Sequence, residues 1–269
     1  MHDPDLWSAD RRPLSVVVLG NSVASLVMPR EGATEQEMRT AANYLAVLAD
    51  HLTAAGVPVH PHLEAEWFGF LHRATRDFQR RVRNHNPDVL IVQFGLNEMQ
   101  PWIVPVALIR HLLVLGWSAT RTSRAYRKRV ATPLWTRVRQ FRRWASPHVG
   151  TRTWQTTPRR FAGHLEALIR MVRAQGRPLV LVLDVNEPGA VLEHFLPGMH
   201  ERHAVFQRTI ADVVRSFASD DVRMVPCARI CAETGPVALP DGMHMSSAAH
   251  AAVGAALAAE IRAWLGTGR

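Results

Sequence analysis

Residues 14–22 read LSVVVLGNS, and this stretch decides the fold. Residues 14–19 form a continuous, valine-rich run without charge, which is typical of a strand buried on both faces of a parallel sheet. Gly20, Asn21 and Ser22 follow at once and predict a sharp turn where the strand ends. Because ligands of open α/β sheets bind at the carboxyl ends of the strands, this turn lies at the edge where a site is expected.

The rest of the chain alternates apolar runs with helical spacing. Further strands are predicted at residues 57–62, 88–94, 178–185 and 222–226. Helices are predicted at residues 35–55, 70–83, 161–174, 201–217 and 246–265. This alternation predicts an α/β fold, a doubly wound, flavodoxin-like parallel sheet of about five strands with helices on both faces.

Composition excludes several classes of protein. The chain has 269 residues, is 47% hydrophobic and carries a formal charge of +9, so it is not a disordered chain. No uncharged apolar run is long enough for a transmembrane helix. Residues 1–12 contain three aspartates and no apolar core, so they do not resemble a signal peptide. A cytoplasmic protein is therefore expected. Cys227 and Cys231 are four residues apart, a spacing that favours reduced thiols over a redox motif or a disulfide framework.

One stretch interrupts the alternation and is called the basic segment, residues 99–160. Between Glu98 and Glu166 there are thirteen arginines and lysines, no acidic residue, and five of the eight tryptophans. We expect a single domain over residues 1–269 with the basic segment as an insertion that forms a lid or a pocket wall. Three interpretations stay open: a solvated helical face, contact with a membrane or anionic surface, and nucleic-acid binding. No nucleic-acid module motif is present, so nucleic acid is not an expected partner, whereas an anionic or carrier-bound acyl substrate also fits the charge.

Three polar features lie at or near predicted strand ends. Ser22 follows the first strand, Asn97 follows the strand at 88–94, and Asp241 and His244 precede the last helix. A serine hydroxyl needs a base to become a nucleophile, and the base needs a carboxylate to orient it. An oxyanion needs prepositioned donors, for which the Asn97 side chain, the Ser22 N–H and the backbone at Gly69 are candidates.

The order of these features resembles the SGNH hydrolases, also called the GDSL esterase/lipase family. The resemblance implies that Ser22 is the nucleophile, His244 the base and Asp241 its orienting acid. It also implies that the Ser22 N–H, Gly69 N–H and Asn97 side chain form the oxyanion hole.

The resemblance covers residues 14–265 except the basic segment. Asn21 stands where the family usually has aspartate, and Glu98 stands where it often has aspartate. The surroundings of Gly69 match the family poorly. Glu98, Asp184 and Asn186 are further candidates for lining a pocket.

The resemblance implies a serine esterase that forms an acyl-enzyme and either hydrolyses it or transfers the acyl group. A tailoring enzyme acting on a sugar, a natural product or a carrier-bound acyl group fits. The alternative is a non-catalytic protein of the same fold that binds an anionic partner through the basic segment. No GxSxG, GxGxxG or P-loop motif occurs, and no cofactor is expected. His194, His200 and His203 cluster without a metal-binding signature and favour a polar loop over a metal site.

Overall fold

The computed structural model describes residues 12–27, 42–114, 125–235 and 238–267. Its centre is a five-stranded parallel sheet in the order β2-β1-β3-β4-β5. The strands are β1 Leu14–Asn21, β2 Val59–Glu66, β3 Val89–Gln93, β4 Leu179–Leu183 and β5 Val222–Val225. The predicted α/β fold and number of strands are confirmed. The strand order reverses at β1, so the crevice where ligands of such sheets bind lies beyond the ends of β1 and β3.

Burial explains which strands the sequence reveals best. All residues of β1, β3 and β4 are buried, as their apolar runs predict. The edge strand β2 is half exposed and polar. Its predicted bounds of 57–62 are wrong, because pairing with β1 extends it to Glu66, opposite Asn21. Tertiary pairing here overrides a weak local pattern.

Eleven helices accompany the sheet within the described ranges. They are α1 Ser22–Ser25, α2 Tyr44–Ala54, α3 Leu71–Arg76, α4 Phe78–Arg81, α5 Val106–Val114, α6 Thr132–Val149, α7 Pro158–Arg173, α8 Ala190–Phe195, α9 Met199–Ser216, α10 Cys227–Thr234 and α11 Ser247–Leu265. Helices α2, α10 and α11 pack together, and α3, α7 and α9 form a second group. Right-handed crossovers on either side of β1 place these groups on opposite faces of the sheet. No described helix has the length and apolar character needed to cross a membrane.

The helix predictions are confirmed in part. Those at 161–174, 201–217 and 246–265 correspond to α7, α9 and α11. The helix predicted at 70–83 is instead two short helices that meet at Asp77 and a 3₁₀ turn, Arg83–His85. The helix predicted at 35–55 is described from Tyr44, where the Asn43 side chain caps the N–H groups of Leu45 and Ala46. Its residues 35–41 lie outside the described ranges.

The basic segment contributes α5, a π-helical stretch Arg127–Ala131, α6 and a 3₁₀ turn Gly150–Arg152. A small apolar cluster of its own holds these pieces together, formed by Val104, Ile109, Leu112, Ala131 and Val138. Residues 115–124, with Trp117, Arg121 and Arg124, lie outside the described ranges.

Candidate active site

Ser22 stands at the junction of β1 and α1. Asn21 ends the strand, and its side-chain oxygen accepts a hydrogen bond from the Val23 N–H at 3.0 Å. The turn needs glycine at position 20, because an added Cβ would lie 2.7 Å from the Cβ of Ala24 and 3.3 Å from the Gln93 carbonyl. A tight strand-to-helix turn thus presents the Ser22 side chain at the carboxyl edge of the sheet.

His244 and Asp241 meet Ser22 in one hydrogen-bonded line. The Nε2 atom of His244 lies 3.0 Å from Ser22 Oγ, and its Nδ1 atom lies 2.7 Å from Asp241 Oδ2. The other carboxylate oxygen, Oδ1, accepts the backbone N–H groups of Met243 at 2.9 Å and His244 at 2.7 Å. These contacts hold the carboxylate and the imidazole in one fixed orientation.

Gly242 makes the turn between Asp241 and His244 possible. Its φ of +78° lies in the left-handed region, and an added Cβ would approach the backbone nitrogen of Leu192 to 2.7 Å. Four residues therefore bring acid and base together while the turn packs against α8.

The electrostatics of Asp241 fix the state of the pair. Burial raises the pKa of Asp241, but the hydrogen bond and charge of His244 and the backbone N–H groups of His244 and Met243 lower it more, so the net pKa lies below the ordinary value. An ionised Asp241 accepts the proton on Nδ1. The lone pair of Nε2 is then available to the Ser22 hydroxyl.

Asn97 and Gly69 lie together next to the end of β1. Asn97 Nδ2 donates to the Gly69 carbonyl at 3.1 Å, which uses one of the two protons of that amide. The Gly69 N–H donates to the Glu66 carbonyl at 2.8 Å. An added Cβ on Gly69 would lie 3.4 Å from the Gly20 carbonyl, so this turn packs against the end of β1. The Gly69 hydrogen bond would have to open before its N–H could reach a substrate.

Glu98 connects the two loops that carry Asn97 and Gly69. It is fully buried, and its carboxylate oxygens accept the N–H of Leu71 at 2.7 Å and of Gly95 at 3.0 Å. Burial raises the pKa of Glu98 to about 7, against the lowering effect of these backbone donors. The Glu98 carboxylate thus braces both loops, and its role in lining a pocket stays a prediction.

Asp184 and Asn186 line a small pocket with Asn21 and Gln93. Asp184 Oδ1 accepts the Ala228 N–H at 2.8 Å, and Asn186 Oδ1 accepts the Cys227 thiol at 3.0 Å. Both cysteines are free, as their spacing predicts, and both are buried. Asp184 and Asn186 thus fasten the end of β4 to α10.

Sequence reasoning missed the side chains that connect the basic segment to Asn97. Arg142 of α6 is buried, and its Nη2 donates to Gln100 Oε1 at 2.8 Å. Gln100 Nε2 lies 3.5 Å from Asn97 Oδ1. An arginine can only donate, so this chain sets the Gln100 oxygen toward Arg142 and the Asn97 amide nitrogen away from Gln100. No local sequence pattern identifies Arg142 as a buried residue, because its hydrogen-bond partner is 42 residues away.

His250 is a second support that the sequence does not reveal. It lies on α11, fully buried, where Nδ1 accepts the Tyr44 N–H at 3.1 Å and Nε2 lies 3.3 Å from the Leu26 carbonyl. Burial lowers the pKa of His250 to about 4, so the ring is neutral near pH 7. It ties α11 and α2 to the residue that follows α1.

The histidines considered for a metal site have other contacts. His203 Nε2 lies 2.8 Å from the Val185 carbonyl, and His200 Nδ1 lies 3.5 Å from Glu187. Among the residues that the structure describes, no three His, Cys, Asp or Glu side chains are grouped as metal ligands.

Comparison with known proteins connects this architecture to a group of solved structures. The lipase/acylhydrolase from Enterococcus faecalis superposes with a TM-score of 0.60 at 12% identity, covering 93% of this chain and 96% of that chain. A putative GDSL-like lipase from Parabacteroides merdae has a TM-score of 0.56 at 12% identity, covering 93% of this chain and 96% of that chain. The psychrotrophic esterase EstA from Pseudoalteromonas sp. has a TM-score of 0.54 at 11% identity, covering 94% of this chain and 98% of that chain. No protein-family model and no curated protein sequence matches the chain.

The chain therefore has the fold of the SGNH, or GDSL, hydrolases. At about 12% identity this likeness concerns the fold, so the chemistry has to be argued from the residues.

Proposed function

We propose that the protein is a serine esterase of the SGNH type. The observation that carries this proposal is the hydrogen-bonded line from Ser22 through His244 to Asp241, at 3.0 and 2.7 Å. This is the geometry of a nucleophile, a base and an orienting acid. The esterases and lipases among the structural neighbours support the same reaction class.

In the proposed reaction Ser22 Oγ bonds to the ester carbonyl carbon while its proton passes to His244 Nε2. The tetrahedral intermediate collapses when His244 returns that proton to the leaving alcohol, and an acyl-enzyme remains. His244 then takes a proton from water as the water oxygen bonds to the acyl carbon, and it returns this proton to Ser22 Oγ when the bond between Ser22 and the acyl group breaks and the acid leaves. Asp241 stays ionised and stabilises the imidazolium in both steps.

The developing oxyanion is assigned to the Ser22 N–H and the second proton of the Asn97 amide. The Gly69 N–H joins them when its hydrogen bond to Glu66 opens. Such donors act strongly because they are oriented before the charge develops. Glu98 supports both loops through its bonds to Leu71 and Gly95.

We further propose that the basic segment forms one wall of the site within a single domain. The contact of Arg142 with Gln100, next to Asn97, supports this arrangement. We propose hydrolysis as the main reaction. In the alternative, an alcohol takes the place of water in the second step and accepts the acyl group. The two differ in what attacks the acyl-enzyme, not in the residues that form it.

The proposal is tested with p-nitrophenyl esters of increasing acyl length and with a fluorophosphonate that labels activated serines. Wild type should hydrolyse at least one ester and take the label. Ser22→Ala should lose activity on the order of a millionfold and take none. Ser247→Ala, an exposed serine three residues after His244, is the matched control and should behave as wild type.

Two results would change the conclusion. Hydrolysis retained by a folded Ser22→Ala protein would overturn the mechanism. Labelling of Ser22 without hydrolysis of any ester would move the assignment to an acyltransferase, and alcohols supplied as acceptors would then yield acylated products.

A further inference from the structure

Helix α6 presents a continuous outward stripe of apolar, aromatic and basic side chains. Leu134, Arg137, Phe141, Trp144 and His148 are all exposed and follow one another at intervals of three or four residues. Residues so spaced lie on one face of a helix. We call these five residues the outer stripe. Phe141 is 49% exposed and Trp144 is 65% exposed, which is unusual for side chains of this size.

The opposite face of α6 is firmly attached to the rest of the protein. Val138 belongs to the apolar cluster of the basic segment. The Arg139 guanidinium lies 3.6 Å from the ring centre of Phe195, and Ser146 Oγ donates to the Pro197 carbonyl at 2.9 Å. Arg142 reaches Gln100. The helix cannot rotate without breaking these contacts, so the outer stripe is held facing outward.

The aromatic members of the stripe form one patch. The ring centres of Phe141 and Trp144 are 5.9 Å apart, and those of Trp144 and His148 are 5.1 Å apart. Leu134 and Val130, 39% and 45% exposed, extend apolar surface toward the start of the helix. A contiguous exposed apolar patch marks an interaction site, whereas scattered exposed residues do not.

The charge around the patch identifies its partner. Arg137 belongs to the outer stripe, and the exposed Lys128 and Arg129 precede the helix, next to Val130. The basic segment contains no carboxylate to neutralise them. Aliphatic side chains gain little from stacked bases but insert readily among lipid chains. Aromatic and aliphatic residues beside arginines therefore favour an anionic bilayer over a nucleic acid.

We propose that the outer stripe docks the protein on a bilayer surface that carries anionic phospholipid headgroups. Phe141, Trp144 and Leu134 enter the boundary between headgroups and acyl chains. Arg137 and, before the helix, Lys128 and Arg129 lie among the phosphates. The docking does not depend on the proposed esterase reaction, so each can be tested without the other.

The test is co-sedimentation of the full chain with phosphatidylcholine vesicles that contain or lack phosphatidylglycerol. Wild type should bind only the anionic vesicles, and high salt should weaken the binding because it screens the arginines. Phe141→Ser combined with Trp144→Ser should weaken binding by about tenfold or more, through lost apolar burial. Arg137→Gln combined with Arg129→Gln should weaken it by about fivefold per arginine.

Matched controls separate the stripe from general charge and hydrophobicity. Val191→Ser with Met224→Ser removes exposed apolar side chains from other elements, at 45% and 39% exposure. Arg177→Gln with Arg262→Gln removes exposed charge outside the basic segment. Both pairs should bind as wild type, and Ser22→Ala should do so as well. Melting temperatures show whether each variant is folded.

Three outcomes would overturn the proposal. In the first, a folded wild type fails to distinguish the two kinds of vesicle. In the second, the control arginine pair loses as much binding as the pair of Arg129 and Arg137, which would assign the effect to net charge. In the third, the chain binds single-stranded RNA more tightly than anionic vesicles and the stripe variants lose that binding, which would assign the surface to nucleic acid.

Discussion

The serine edge of the sheet and the basic segment are assembled by opposite means. At the edge, Asp241 and His244 are three residues apart and share a turn, and Ser22 follows directly from the strand that positions it. In the basic segment, Arg142 Nη2 donates to Gln100, 42 residues away. Short-range geometry builds the pair of Asp241 and His244 in the first region, and one contact across 222 residues adds Ser22 to that pair. In the second region the contacts of the buried arginine side chains are all long-range.

This difference has an energetic consequence. Burial lowers the pKa of Arg142 to about 10, so its charge is held at a cost. Arg202 shows the same feature, since it is almost fully buried and donates to the carbonyls of Met99, Thr153 and Gly150. Buried arginines with designated acceptors specify one way of docking the segment. The serine edge instead depends on the few residues of one turn and of one strand end.

After Ser22→Ala, the largest effect expected at the edge comes from Asp241→Asn. The amide keeps the shape of the carboxylate but no longer selects the imidazole tautomer with a proton on Nδ1. We expect kcat for ester hydrolysis to fall by about 10⁴-fold with little change in KM. Asp212→Asn, an exposed aspartate paired with Arg215, is the control and should keep full activity. Equal activity of Asp241→Asn and wild type would show that the line of hydrogen bonds is not catalytic.

Asn97→Ala should have the next largest effect. It removes a donor assigned to the oxyanion, so kcat should fall by about 100-fold to 1000-fold while KM stays nearly constant. Stopped-flow measurement of acyl-enzyme formation gives the affected step directly. A raised KM with an unchanged kcat would instead assign Asn97 to supporting the Gly69 turn.

The edge also has a long-range support, and His250 tests how much it matters. Its folded pKa is about 4 and its ordinary value is 6.5, so between these pH values the unfolded chain binds more protons than the folded chain. The free energy of unfolding should therefore fall as the pH falls through this window, by about 2 kcal/mol between pH 7 and pH 5. Urea unfolding at pH 7 and at pH 5 measures this change in the free energy of unfolding.

His250→Gln provides the comparison for that measurement. Glutamine offers an acceptor for Tyr44 and a donor for Leu26 but does not titrate. Between pH 7 and pH 5, the free energy of unfolding of the variant should fall by about 2 kcal/mol less than that of wild type. Identical pH dependence of the two proteins would show that the buried ring does not control acid stability.

Predictability from sequence follows the same division between regions. The runs at β1, β3 and β4 are buried on both faces, so their composition alone predicts them. The edge strand β2 is set by pairing, and its bounds were predicted wrongly. Ser22, Asp241 and His244 are recognisable because their order along the chain is informative. Arg142, Gln100 and His250 are not, since only tertiary contacts distinguish them from surface residues of the same types.

The final prediction asks whether the two regions communicate. If Arg142 positions Asn97 through Gln100, Arg142→Met should lower kcat by about tenfold without raising KM, because the oxyanion donor loses its fixed orientation. Gln100→Leu should have the same effect, and the double variant should be no worse than either single variant. Arg139→Met is the matched control on the same helix, since it loses the contact with Phe195 and should lower the melting temperature while kcat is unchanged.

Additive losses in the double variant would mean that the two side chains act separately. A fall in melting temperature with normal kcat would reduce Arg142 to an anchor for α6. Because Arg142 lies opposite the outer stripe on one helix, the same variant also tells whether α6 only carries a surface or helps to hold the oxyanion donor in place.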